Sequence, residues 1–179
     1  LQAYALKRVL NSKDLETSVI DFRKEKSYGD NFWRNFFSCS RLARCIYEIP
    51  YSKQIGQKKK RFEKFVCEEL TENKTSLVTE DTIENATQSY HALIFGSDQI
   101  WNLDPRIYDR SKVFFADFDY AGRKYAYSAS FGEDISLANE HKKYIIKQLI
   151  DFRSISVREK SGQDFLVENG INAVHTVDP

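Results

Sequence analysis

The stretch that most constrains the fold is His91–Asn102, which reads HALIFGSDQIWN. Ala92–Phe95 is a continuous apolar run that stops at a glycine followed by small and polar residues. Such a run predicts a buried strand that ends in a loop. In an open α/β sheet, ligands bind where the strands end. Asp98 and Gln99 are expensive to bury without partners, so packing alone does not explain their position next to a core strand.

Helical and strand patterns alternate along the rest of the chain. Apolar spacing predicts helices at residues 1–10, 31–49, 56–70, 80–88, 136–150 and 160–169. Strands are predicted at residues 17–22, 92–95, 123–128, 154–157 and 173–177, with a short strand or extended piece at 113–118. Ser136 is the expected N-cap of its helix, and Gly170 closes the helix at 160–169. This alternation predicts an α/β fold with a parallel sheet.

A parallel sheet would bring three separate loops together. The strands at 92–95, 123–128 and 154–157 would end at one edge, so the loops that follow them would face a common crevice. The side chains expected to line it are Ser97, Asp98, Gln99, Asn102, Ser128, Ser130, Arg158 and Glu159.

The chemistry of these side chains suits a polar, oxygen-rich substrate. Arg158 offers a fork of donors that fits a carboxylate or a phosphate. Asp98 could accept a proton from a sugar hydroxyl or simply hold it, and Ser and Gln side chains suit a polyol. Structural alternatives stay open: Asp98 could cap its turn, Arg158 could pair with Asp98 or Glu159 as a buried brace, and Glu159 could favour the dipole of the following helix.

Composition and motif searches exclude several other function classes. Lys and Arg number 27 against 26 Asp and Glu, so no electrostatic footprint for nucleic acid is present. The longest apolar runs fall far short of the roughly 20 residues of a transmembrane helix. The three cysteines form no CxxC pair, and their odd number argues against a disulfide framework, so a reducing, cytoplasmic setting is expected. No HExxH, GxGxxG, P-loop or Ser-His-Asp signature occurs, so metal, hydride and P-loop chemistry are disfavoured.

Both ends of the chain suggest a piece of a longer protein. The chain contains no Met, and Leu1 opens inside a helical pattern without a preceding cap. A helix that leads promptly into a strand at 17–22 hints that another strand came before it, as in a βαβ unit. The pattern therefore predicts a single domain over 1–179 whose first strand is missing.

Five blocks of the sequence resemble the N-terminal half of the polysaccharide pyruvyl transferase family. In order, they read LQAYALKRVL, HALIFGSDQIWN, RKYAYSASFG, ISVREKSG and HTVDP. The resemblance implies a Rossmann-like domain, one half of a two-domain enzyme similar to GT-B glycosyltransferases, with the C-terminal domain absent here. The activity it implies is transfer of the enolpyruvyl group of phosphoenolpyruvate to a sugar, giving a pyruvate ketal, in a bacterial cytoplasm.

The resemblance also implies partners and roles. The acceptor would be a glycan or a lipid-linked sugar, with no metal or organic cofactor, and this half would bind the acceptor. Asp98 and Arg158 would be catalytic, and the other six residues of the crevice would bind substrate. Two alternatives stay open: a GT-B glycosyltransferase that uses a nucleotide sugar, and a non-catalytic module that binds a sugar or another partner.

Overall fold

The computed structural model describes residues 2–22, 52–65, 68–69, 78–103, 112–132 and 135–177. The helix predicted at 31–49 lies outside these residues. Over the described ranges, no helix has the length and apolar character needed to cross a membrane.

Four parallel strands form one sheet in the order β1-β2-β3-β4. The strands are β1 (Ala92–Phe95), β2 (Arg123–Ala129), β3 (Ser154–Val157) and β4 (Val174–His175). The predicted parallel α/β sheet is therefore confirmed. The order of the strands across the sheet is the same as their order along the chain. Because neighbouring strands are parallel, each connection must return the chain to the same end of the sheet.

The described part of the chain also contains six helices and one 3-10 turn. They are α1 (Gln2–Asn11), α2 (Ser52–Phe65), α3 (Ile83–Thr87), the 3-10 turn Lys112–Phe115, α4 (Ser136–Glu140), α5 (Lys142–Leu149) and α6 (Lys160–Glu168). The predicted closure of α6 is confirmed. Gly170 adopts a φ of +82°, and the N–H of Ile171 donates to the Leu166 carbonyl at 2.9 Å, as expected where a glycine ends a helix.

Trp101 anchors the loop after β1 in the hydrophobic core. Its side chain is fully buried against the rings of Phe115, Phe131 and Phe152, with centroids 5.2 to 6.3 Å away. Its indole N–H donates to the Phe114 carbonyl at 2.9 Å, which satisfies the polar end of the ring. The loop that carries the polar residues is thus held by a large apolar side chain.

The structure corrects several element predictions. Residues 112–115 form a 3-10 turn and not a strand, because Val113 and Phe115 enter separate apolar clusters instead of pairing with the sheet. The predicted helix 136–150 is two helices, since His141 adopts φ −98° and ψ 14° between them. Ser136 is not the N-cap; Ile135 holds that position.

The predicted strands at the two ends of the chain are shorter in the structure. Over residues 17–22, the only strand pairing among the described residues is a parallel bridge between Phe22 and Val78. The last strand covers Val174–His175 only. Residues 17–22 thus have a strand-like sequence and, among the described residues, a strand partner only at Phe22.

Candidate functional site

Backbone hydrogen bonds join the loops that follow β1, β2 and β3. The N–H of Ser130 donates to the Asp98 carbonyl at 3.1 Å, and the N–H of Trp101 donates to the Ser130 carbonyl at 3.0 Å. The N–H of Arg158 donates to the Ala129 carbonyl at 3.0 Å. The three loops therefore open at one edge of the sheet, as predicted. We call residues 96–102, 130–132 and 158–159 the exit rim.

The Glu159 carboxylate is the polar centre of the exit rim. Its Oε1 accepts a hydrogen bond from the Ser130 hydroxyl and lies 3.5 Å from Nε of Arg158. The same hydroxyl accepts a hydrogen bond from the Gly132 N–H at 3.0 Å. Glu159 is the N-cap residue of α6, yet its side chain makes no capping hydrogen bond. Its carboxylate is thus turned toward the rim and not toward the helix.

The second oxygen of Glu159 has no partner among the described residues. Oε2 is buried and makes no hydrogen bond, and the same holds for the hydroxyl of Ser97, a residue that is 5% exposed. A buried polar atom without a partner costs about 1 to 3 kcal/mol, and in native proteins it is commonly satisfied by water or a ligand. The exit rim therefore holds two oxygen atoms that can take up a hydrogen bond from a group other than the described residues.

Asp98, Gln99 and Asn102 build the part of the rim that follows β1. Asp98 is exposed, and its Oδ1 accepts the Gln99 N–H at 2.8 Å, so it caps its own turn. Gln99 Oε1 accepts a hydrogen bond from Asn102 Nδ2 at 3.0 Å. A Cβ on Gly132 would lie 2.6 Å from that same nitrogen, so any larger residue there would have to displace the Asn102 side chain, and it would also be strained by the φ of +85°.

Ser128 differs from the other predicted site residues. It is fully buried within β2 with a φ of +52°, and its hydroxyl donates to the Val177 carbonyl at 3.0 Å. Its N–H donates to Ser156 Oγ at 2.8 Å. Ser128 therefore ties the chain after β4 to the middle of the sheet, and its predicted contact with substrate stays a prediction.

Prediction from sequence left out the end of β4. The N–H of Thr176 donates to the Val157 carbonyl at 2.9 Å, and its hydroxyl is buried without a partner among the described residues. His175 Nε2 lies 2.9 Å from the Arg158 carbonyl oxygen. Because parallel strands end at one edge, the strand predicted at 173–177 was a usable signal for these two residues.

The outcome for the structural alternatives is mixed. Arg158 does pair with Glu159, both side chains being about a quarter exposed, so part of its role is that of a brace. Over the described ranges, no three His, Cys, Asp or Glu side chains are grouped so as to hold a metal ion.

These features define an α/β protein whose parallel sheet carries a polar, oxygen-rich site at its carboxyl edge. The chain belongs to the polysaccharide pyruvyl transferase family, whose model matches residues 1–179. Comparisons with the curated proteins and with the solved structures gave no match. Membership of this family indicates a transferase with a polysaccharide acceptor.

Proposed function

We propose that the protein transfers the enolpyruvyl group of phosphoenolpyruvate to two hydroxyls of a sugar, forming a pyruvate ketal. The family supports a pyruvyl transfer. The observation that carries the proposal is the Glu159 carboxylate, which is held by Ser130 and Arg158 while its other oxygen is buried without a partner among the described residues. A fixed acceptor oxygen of this kind suits a donor group such as a sugar hydroxyl.

The signs of the charges support our placing the acceptor at this rim. A carboxylate oxygen accepts a hydrogen bond from a hydroxyl and repels the anionic groups of phosphoenolpyruvate. In this proposal, Glu159 and Ser97 orient the sugar, with Gln99, Asn102 and Ser130 fixing the loops around it. Asp98 acts as the general base that takes the proton from a reacting hydroxyl, because its carboxylate is exposed in the loop after β1.

Arg158 has the opposite role. The transfer requires that C3 of the enol gains a proton and that C2 forms bonds to two sugar oxygens. The bond between C2 and the phosphate oxygen breaks, and inorganic phosphate leaves. The two hydroxyl protons balance the reaction, one ending on C3 and one on phosphate. We assign Arg158 to stabilising the carboxylate or phosphate charge of the transferring group, because a guanidinium fixed in place acts on such charge without reorganising.

The same proposal extends to the rest of the enzyme. The domain would be the acceptor half of a GT-B-like, two-domain transferase of the cytoplasm, and a C-terminal domain would close over the exit rim with the main phosphoenolpyruvate site. No metal or organic cofactor enters the reaction as written.

The test uses the full-length protein with phosphoenolpyruvate and a panel of glycans and lipid-linked sugars. We expect phosphate release only when an acceptor is present, and a product that carries a ketal methyl group detectable by proton NMR. Turnover of a nucleotide sugar would instead identify a glycosyltransferase. Glycan binding without turnover of either donor would leave a binding module and contradict the proposal.

A further inference from the structure

The main chain of Arg158 is held from the two strands that flank β3. Its N–H donates to the Ala129 carbonyl of β2 at 3.0 Å, and its carbonyl oxygen lies 2.9 Å from Nε2 of His175 at the end of β4. In a regular parallel strand, the N–H and C=O of one residue point toward the same neighbouring strand. At Arg158 they point toward opposite neighbours, so the chain turns at this residue, directly after β3 ends at Val157.

The ring of His175 takes the place of a backbone donor at this turn. The register of the sheet pairs Val157 with His175, and the next N–H along the chain, that of Thr176, donates to the Val157 carbonyl at 2.9 Å. The Arg158 carbonyl lies one residue beyond that hydrogen bond, and there the His175 side chain reaches it. The imidazole therefore extends the contact between β3 and β4 past the end of β3.

The partner of Nε2 decides which ring nitrogen of His175 carries hydrogen. A carbonyl oxygen can only accept a hydrogen bond, so Nε2 is the donor. This holds for the neutral ring, whose Nδ1 then carries no hydrogen, and for the charged ring, in which both nitrogens carry one. A side chain that replaces His175 must therefore place an N–H at the same reach to keep the contact.

The peptide group that His175 contacts lies between the two charged residues of the exit rim. The Arg158 carbonyl belongs to the planar group that joins Arg158 to Glu159, so its orientation sets the directions in which both side chains leave the backbone. Nε of Arg158 lies 3.5 Å from Oε1 of Glu159, and the same oxygen accepts the Ser130 hydroxyl. A rotation of this one peptide group would therefore move the guanidinium and the carboxylate together.

We propose that His175 is a positioning residue for the transfer reaction. It fixes the peptide group between Arg158 and Glu159 and thereby holds the guanidinium where charge develops on the transferring group. This role rests on the proposed function, because it requires Arg158 to act on that charge. His175 is exposed, and the substitution of an exposed side chain changes stability little, so its removal should lower the rate far more than the stability.

Two amide side chains test whether the donor itself matters. Glutamine carries its amide nitrogen as many bonds from Cβ as histidine carries Nε2, whereas the amide nitrogen of asparagine corresponds to Nδ1 and falls short. In the full-length protein, we expect His175→Asn and His175→Leu to lower kcat for transfer from phosphoenolpyruvate by about 10- to 100-fold, with a smaller change in KM for the acceptor. His175→Gln should recover kcat to within about threefold of the unsubstituted protein. Equal kcat values for His175→Gln and His175→Asn would overturn the proposal.

A double substitution tests whether His175 acts through Arg158. If it does, His175→Leu should lower kcat by less than about twofold in a protein that already carries Arg158→Lys. Losses that multiply in the double variant would show that His175 acts by another route. The control is His91→Leu, which removes another exposed histidine just before β1, at the opposite edge of the sheet, and should leave kcat unchanged.

The hydrogen bond can also be measured without turnover. The ¹³C resonance of the Arg158 carbonyl in the full-length protein should shift in His175→Leu and return in His175→Gln, because a carbonyl carbon responds to the donor at its oxygen. An identical resonance in all three proteins would refute the contact. An unsubstituted protein that transfers nothing would refute the proposed function and this role with it, whereas normal transfer with equal kcat in every His175 variant would refute the role alone.

Discussion

Removal of the Ser130 hydroxyl is the perturbation whose effect on the exit rim is easiest to calculate. Ser130 is fully buried, and its Oγ donates to the Glu159 carboxylate while it accepts the Gly132 N–H at 3.0 Å. Ser130→Ala deletes both hydrogen bonds without adding any atom that the core must accommodate.

The magnitude follows from what each lost hydrogen bond leaves behind. A hydrogen bond to a charged group contributes about 1.5 to 3 kcal/mol, and a buried donor left without a partner costs about 1 to 3 kcal/mol. The two losses share one hydroxyl and partly overlap, so we expect Ser130→Ala to lower the free energy of unfolding by about 2 to 4 kcal/mol. For a chain of this size, that corresponds to a drop in Tm of roughly 4 to 16 °C.

The assay is urea denaturation with a check that the m-value is unchanged, so that the difference reports the native state. Ser154→Ala is the matched control, because Ser154 lies at the exposed start of the neighbouring strand β3 and its change should stay within about 0.5 kcal/mol. If Ser130→Ala and Ser154→Ala unfold alike, the Glu159 carboxylate is not held as described.

Two further predictions concern backbone geometry and pH. Gly132 and Gly170 have similar φ values of +85° and +82°, so alanine is strained at both positions. Of these two, only Gly132 would bring the alanine Cβ against another described residue. Gly132→Ala should therefore destabilise the fold by at least about 1 kcal/mol more than Gly170→Ala in the same denaturation assay. Equal losses would refute the predicted contact with the loop after β1. Burial, aided by the nearby Asp117 carboxylate, raises the pKa of Tyr144 above its ordinary 10.0, so the unfolded chain ionises first. The contribution of the Tyr144 hydroxyl to the free energy of unfolding is complete below pH 10 and is lost as the pH rises toward the pKa of the folded state. Tyr144→Phe should therefore reduce the loss of stability above pH 10. Parallel profiles of unfolding free energy against pH for the two proteins would contradict this.

The exit rim could be predicted from sequence because its determinants are local. Apolar runs that end in glycine and small polar residues mark where strands stop, and the alternation of helices with strands brings those ends to one edge. The family resemblance was confirmed by the match over residues 1–179, although it left the roles of Asp98 and Arg158 as predictions.

The details that sequence could not predict depend on tertiary packing. Whether Glu159 caps its helix or turns to Ser130 is a choice of rotamer, decided by a hydroxyl 29 residues away in the chain. Ser128 lies at a shift in register between β2 and β3, where its φ is positive. A glycine at this position would have indicated the irregularity, but the sequence has a serine. The strand-like segment at 17–22 was misjudged because pairing depends on a neighbour as well as on local preference.

The central claim is that the exit rim is where the enzyme handles its substrates. It is tested most directly by the rate of acceptor-dependent phosphate release from phosphoenolpyruvate by the full-length protein carrying Asp98→Asn or Arg158→Lys, with Tm measured on the same samples. We predict that turnover falls by about 10² to 10³ in each variant while Tm changes by only a few degrees. Full turnover together with a lowered Tm in both variants would show that these residues are structural braces, and would contradict the claim.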